Sequence, residues 1–262
     1  MRLHRDVPDT WETLARSEPL FAVLSDPRYR TDQLTPHTEA QFWRSGDTHV
    51  ENVVTLVQRH FGSRLEPERA LDFGCGVGRL LIPIARRARA ALGVDASPAM
   101  LSLARSACDR AGLSNVSLAA TIPEDASFDF VNTLLVLQHM APRAGFRTLD
   151  QMFRSLTVGG FLAAQVLFDR PMNDRAHRLV RWLTAKVPPV RAVRNLVRGD
   201  AVGTPYMAMN TYSMHQVIAR LARNDIRDIH ILLTSEAGFE SALIIGRKSP
   251  LEGPRTTSSQ PS

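Results

Sequence analysis

The stretch that decides the fold is "ALDFGCGVGRLLIPIA" (70–85), where an apolar pair and an aspartate run into glycines at 74, 76 and 78. Apolar residues closing on a glycine-rich turn and then an amphipathic run read as a strand, a ligand loop and a helix start. Such a loop lies at the carboxyl edge of an open parallel sheet, where these folds bind their ligands. Glycine lets ligand and backbone approach closely, and the free N–H groups at the helix start attract a carboxylate or phosphate. Spacing limits the ligand. A dinucleotide fingerprint would need its third glycine at position 79, which is Arg79, and no Gly-Lys-Ser/Thr follows as in a phosphate loop. A pyrophosphate would also be repelled by Asp72, whereas an ammonium group would pair with it. The expected ligand carries a cation.

Outward from the loop, short apolar runs alternate with amphipathic ones. "GRLLIPIARRAR" (78–89) reads as a helix, "AALGVD" (90–95) as a strand and "SPAMLSLARSACDRAG" (97–112) as a helix with Ser97 as N-cap, Pro98 in its first turn and Gly112 at its end. "VSLAA" (116–120) and "FDFVNTLLVLQHM" (128–140) read as strands; a helix over 144–156, a Gly159-Gly160 turn and a strand at 161–168 follow. Strands and helices in alternation imply a parallel sheet with right-handed crossovers. Residues 213–225 read as a helix, and "IRDIHILLTS" with "FESALIIGRK" as two strands joined at Gly238, an antiparallel edge.

The expected fold is therefore α/β: a Rossmann-like, doubly wound, seven-stranded, mostly parallel sheet with an antiparallel last strand. Residues 1–65 are expected to form a helical N-terminal cap, with Val50, Val53, Val54, Val57 and Phe61 at helical spacing. The domain proper is expected over 66–248, with a basic helical lid inserted at 169–212 and a disordered tail at 249–262. Within the lid, residues 169–200 carry seven arginines and Lys186 interleaved with apolar positions. Such a face suits an anionic or lipid-linked partner, a membrane surface, or simply water.

Composition is that of a globular chain, with 44% apolar and 22% charged residues. The net charge of +6 rests on 30 arginines and only 2 lysines, which is weak grounds for a nucleic-acid partner. Cys75 and Cys108 are too few for a disulfide framework and have no histidines at metal-ligand spacing, so no metal and a cytoplasmic setting are expected. No targeting or spanning segment is visible.

Asp95 closes the second strand 23 residues after Asp72. An acid placed there accepts hydrogen bonds from ribose hydroxyls; capping the next helix is its other reading.

Taken together, "LDFGCGVGRL", "GVDASPAMLSLAR", "FDFVNTLLVLQHM" and "LTVGGFLAAQVLF" resemble the class I S-adenosylmethionine-dependent methyltransferases over about 70–168. The resemblance implies S-adenosylmethionine as methyl donor. Asp72, Gly74, Cys75, Gly76 and Gly78 would lie against its methionine part, Asp95 and Ala96 at its ribose, and Leu134 along its side. It also implies that the loop from Leu134 to His139 opens to the acceptor. One departure stands out: alanines occupy the place after the third strand where relatives carry an acidic or polar contact to the adenine amine. A backbone group, Glu124 or Asp125 would have to replace it, or donor affinity is weaker.

An oxygen or nitrogen acceptor loses a proton on methylation, which invites a general base. His139 is the first candidate, with His215 and His49 behind it, and a structural role is its other reading. Trp43, Gln138, Met207 and Tyr212 are the candidate acceptor contacts, each with an ordinary packing role as its alternative. The expected function is methylation of a small molecule, on an oxygen of a natural product, sugar or lipid-linked compound. A degenerate binding or scaffold subunit and a nucleic-acid methyltransferase are the alternatives, the last lacking a stacking platform and a catalytic tetrad. The oligomeric state is not legible.

Overall fold

The computed structural model describes residues 6–169, 187, 209–236 and 239–250. Nearly all of the expected lid, Met207, the turn at Gly238 and the tail from 251 lie outside the described residues. Helices α1 (Asp6–Ser17), α2 (Pro19–Leu24) and α3 (Pro36–Phe61) precede strand β1 (Arg69–Phe73). Then come α4 (Leu81–Ala85), β2 (Ala90–Val94), α5 (Pro98–Arg110), β3 (Val116–Ala119), β4 (Phe128–Thr133), α6 (Pro142–Ser155) and β5 (Leu156–Asp169). After the insertion follow α7 (Met214–Arg223), β6 (Ile226–Glu236) and β7 (Phe239–Lys248).

The sheet has seven strands in the order β3-β2-β1-β4-β5-β7-β6. β1 pairs in parallel with both β2 and β4, so the strand order reverses between β1 and β4. Loops leaving those two strands diverge and open a crevice at their carboxyl ends. β7 is antiparallel to β5 on one side and to β6 on the other. The last strand in sequence is thus the antiparallel one, inserted one place in from the edge that β6 forms.

Strand side chains alternate between two apolar layers, as a sheet covered on both faces requires. Ala70, Phe130, Ala163 and Ile245 join Val50, Val53 and Val57 of α3 and Ala107 and Cys108 of α5 on one face. Leu71, Val131, Ala164 and Ile244 join Leu149, Met152 and Phe153 of α6 and Val217 and Leu221 of α7 on the other. A third cluster unites α1 and α2 with Phe42, Val77 of the glycine loop and Met100 of α5.

Local chemistry sets the boundaries. α3 starts at a Thr35–Thr38 capping box with Pro36 in its first turn and stops at Gly62 in the left-handed region. α5 starts as its sequence implies, with the Ser97 side chain accepting from the Met100 N–H. α4 is shorter than the run 78–89 suggests. Pro83 sits inside it and supplies no N–H, and the chain beyond Ala85 tightens into turns. The Gly159-Gly160 pair falls inside β5 as a bulge, where the pairing register with β4 shifts and Gly159 has φ +83°.

Candidate active site

At the carboxyl ends of β1, β2 and β4 lies a cavity of about 310 Å³. One wall is the glycine loop. Gly74 and Cys75 donate their N–H groups to the Val94 carbonyl at 2.7 and 3.0 Å, which turns the chain sharply out of β1. Gly74 has φ +76°, and a Cβ there would stand 2.1 Å from the Val136 side chain, so neither the backbone nor the space admits another residue. Gly74 and Gly76 both line the cavity.

Asp95 lines it from the end of β2. Its Oδ2 accepts from the Gly76 N–H and its Oδ1 from the Ser97 N–H, each at 2.9 Å. Burial raises its pKa, against the opposing pull of the N–H groups of Ser97, Gly76 and Ala96. Each carboxylate oxygen has a further lone pair for a ligand hydroxyl, and Ala96 and Ala120 flank it.

Asp72 lies behind the wall rather than on it. It is 2% exposed, its Oδ1 accepts from Asn132 Nδ2 at 2.8 Å, and its Oδ2 has no hydrogen-bond partner. Burial pushes its pKa up to about 6, with Asn132 and the positive Arg79 acting the other way. A buried carboxylate oxygen without a donor is a place where a cation would be stabilised.

The opposite wall is the loop after β4. Leu134, Leu135, Val136 and His139 face the cavity. Leu135 is held at φ +62°, rare for a branched residue, and its N–H donates to Gln165 Oε1 of β5 at 3.2 Å. Gln165 in turn donates to Ser241 of β7. Beyond Leu135, a single 3₁₀ turn (Leu137–His139) carries His139 to the rim.

The predicted site residues thus divide. Gly74, Gly76, Asp95, Ala96, Leu134 and His139 share one cavity. Cys75 and Gly78 do not line it: the Cys75 thiol is buried, with its pKa raised by that burial, and Gly78 faces Ala104 of α5. Trp43 lies elsewhere, edge-on to Phe42 and beside a separate surface pocket with Arg79, Arg86 and Arg110. Gln138 points inward, 3% exposed, while its carbonyl accepts from Asn210.

Tyr212 is 1% exposed and its hydroxyl meets the Leu137 and Met140 carbonyls at 2.6 and 3.1 Å. It props the turn bearing His139 from beneath instead of touching the cavity. His49 is half-buried in α3, its pKa lowered to about 4 by desolvation and by Arg79, and His215 is exposed on α7. Neither lines the cavity, nor do Glu124 and Asp125.

Sequence reasoning missed the N-terminal side. Trp11 of α1 and Ala22 and Val23 of α2 close the cavity, and the Trp11 ring stands edge-on to His139 with centroids 4.7 Å apart. The usable signal was Trp11, Leu14 and Ala15 at i, i+3, i+4 on one helical face.

Among the described residues no group of three or more His, Cys, Asp and Glu side chains is placed to hold a metal, and no helix is long and apolar enough to cross a membrane.

The chain is similar to known methyltransferases in part of its sequence and in its fold. The profile of a family described as "Methyltransferase domain" matches residues 70–160. A trans-aconitate 2-methyltransferase of Methylobacterium radiotolerans is 36% identical over 131 residues, 48% of each chain. A ubiquinone biosynthesis O-methyltransferase of Methylocella silvestris is 37% identical over 121 residues, 44% of this chain and 46% of its own. The chain therefore spans about half the length of the curated relatives it matches. Among solved structures, magnesium protoporphyrin IX methyltransferase from Synechocystis with bound SAH superposes with a TM-score of 0.60 at 16% identity, covering 93% of this chain and 99% of that one. At that identity the likeness is one of fold.

Proposed function

We propose that the chain is a class I S-adenosylmethionine-dependent methyltransferase, built around the methyltransferase domain matched over residues 70–160, and that it transfers a methyl group from S-adenosylmethionine to a small-molecule acceptor at the cavity between Asp95 and His139. The carrying observation is that these two side chains face one cavity of ligand size, floored by the bare backbone of Gly74 and Gly76.

The residues present fit the donor. Asp95 has acceptor capacity for two ribose hydroxyls, the buried Asp72 behind the glycine loop keeps an oxygen without a hydrogen-bond partner whose charge a donor's ammonium would offset, and Ala120 and Met100 offer an apolar slot to adenine. The alanines after β3 leave adenine to apolar contact and backbone groups. When bound, the donor supplies an activated methyl on a sulfonium.

The chain's own part is positioning and proton removal. Displacement at the methyl needs the acceptor in line with the departing sulfur, and the loop from Leu134 to His139, fixed by Gln165 and Tyr212, forms the wall that would orient it. His139 takes the proton that an acceptor hydroxyl loses. We further propose oxygen as the accepting atom, in a natural product, sugar or lipid-linked compound; two curated relatives of this chain are named for methylation of trans-aconitate and for an O-methyltransferase step.

Calorimetry with S-adenosylmethionine and S-adenosylhomocysteine tests the donor half. Micromolar binding that Asp95→Ala abolishes is expected; a chain that binds neither compound would be a scaffold, not an enzyme. A donor-dependent activity screen over hydroxylated, carboxylated and amine acceptors tests the other half. Methylation confined to amines overturns the oxygen assignment.

A further inference from the structure

The motifs of the domain account for three sides of the cavity, and the fourth is built by a helix that no motif marks. Trp11 of α1 lines the cavity beside Asp95 and His139. One residue on, Glu12 reaches α5: its Oε2 accepts from the Ser97 hydroxyl at 2.7 Å and from the Ala99 N–H at 3.1 Å. Those donors belong to the first turn of α5, whose N–H groups have no partner within the helix and whose dipole favours a negative charge. Both bonds hold the Glu12 carboxyl below its ordinary pKa, the Ser97 contact most of all.

The inner face of α1 continues with Leu14 and Ala15, 2% and 3% exposed, packed in one cluster with Val77 of the glycine loop and Met100 of α5. α1 is therefore clamped onto the two elements that frame the ribose acid, with its one aromatic ring turned to the cavity.

We infer that α1 is a working wall of the donor site: Trp11 touches the bound donor, and Glu12 is the positioning residue that fixes it by capping α5 next to Asp95. This rests on the methyltransferase reading and extends it to a helix about 60 residues ahead of the glycine loop. A large ring lining the cavity shields its occupant from water on that side. A clamp made of two hydrogen bonds and a small apolar face can also open, and such release provides a route by which donor and product exchange.

The test uses S-adenosylhomocysteine as probe and tryptophan emission as readout. In the full chain carrying Trp43→Phe and Trp182→Phe, Trp11 is the remaining tryptophan. Adding the probe is expected to shift its emission and protect it from acrylamide quenching, and Trp11→Ala to raise the dissociation constant about tenfold. Glu12→Ala should lose most of the emission response and weaken binding severalfold with the thermal midpoint of the ligand-free chain nearly unchanged, and Glu12→Gln should recover part of both.

An emission that ignores the probe, with Trp11→Ala and Glu12→Ala binding as tightly as the parent, overturns the inference alone. A parent chain that does not bind the probe at all overturns the donor reading, and the inference with it. If Trp11→Ala does not fold, the emission response of the single-tryptophan chain still decides.

Discussion

The Gly76 N–H donates to Asp95 Oδ2 at 2.9 Å, so the acid that ends β2 also holds the turn that ends β1. The same carboxylate accepts from the Ser97 N–H at the start of α5. Asp95 therefore joins the glycine loop to the helix start while lining the cavity proposed for the donor.

Replacing it is expected to cost more than a ligand contact. Asp95→Ala should abolish donor binding by calorimetry and lower stability by about 1–3 kcal/mol, because two loop N–H groups lose their acceptor. Asp95→Asn should be intermediate, since its amide can accept on one side only and turns an NH₂ toward the other donor. A variant that unfolds at the parent's temperature and binds the donor as well would show that Asp95 does neither job.

Asp72 predicts a pH dependence of definite sign. Its carboxyl has an ordinary pKa of 3.8 and one of about 6 in the fold, so the folded chain holds more protons between those values. Stability contributed through this group falls as pH rises from about 4 to 6. Asp72→Asn, which keeps the shape and an oxygen for Asn132, should remove that slope and stabilise the ligand-free chain at pH 7 by up to roughly 3 kcal/mol. Donor binding should move the other way. A cationic ammonium favours the ionised acid, so the parent's affinity should climb from pH 5 to 7, whereas the Asn variant's should be low and flat. Denaturant titrations and calorimetry across that range are the check; equal slopes in parent and variant would count against it.

The loop under His139 makes a prediction about folding and rate together. A Tyr212→Phe change leaves the buried Leu137 carbonyl without the hydroxyl that now meets it at 2.6 Å. The expected loss is about 1–3 kcal/mol in stability. Gly145→Ala attacks the same place from α6, since a Cβ there would stand 2.0 Å from the Tyr212 hydroxyl. Both variants should slow turnover more than they weaken donor binding, because the displaced turn carries His139 while Asp95 and the glycine loop are untouched. Turnover equal to the parent's in both would mean that Tyr212 is only a core residue.

What the sequence disclosed follows from how locally each feature is encoded. Strands β1, β2 and β4 and the helix start at Ser97 are written in contiguous periodicity and caps, and the cavity-lining Gly74, Gly76 and Asp95 sit where those elements end. Trp11 and Gln165 are not local. Trp11 reaches the cavity only because α1 folds onto α5, and Gln165 holds the loop after β4 only because β5 lies beside β4; neither contact leaves a mark within ten residues. Trp43 was the natural choice for a ligand tryptophan because it is nearer the loop in sequence. α3 instead turns Phe42, Gly46, Val50 and Val53 inward and leaves Trp43 at the margin, against Phe42. Tyr212 was legible as an aromatic near the site, but its hydroxyl serves backbone carbonyls that no pattern reveals.

The role of His139 is the prediction closest to the chemistry. Its ring lines the cavity, stands edge-on to Trp11 and is carried by a turn that Tyr212 supports. If it removes the acceptor's proton, His139→Ala should lower kcat by about 10²–10⁴ on an oxygen acceptor. The dissociation constant for S-adenosylhomocysteine should stay within a few fold, because the polar groups proposed to hold the donor are Asp95 and the glycine loop. His139→Gln separates proton removal from shape: it retains a hydrogen-bonding side chain of similar reach without a basic nitrogen, and should be as slow as the alanine variant. A glutamine enzyme that turns over at the parent rate would reduce His139 to an orienting group, and equal rates in all three chains would leave the proton to solvent.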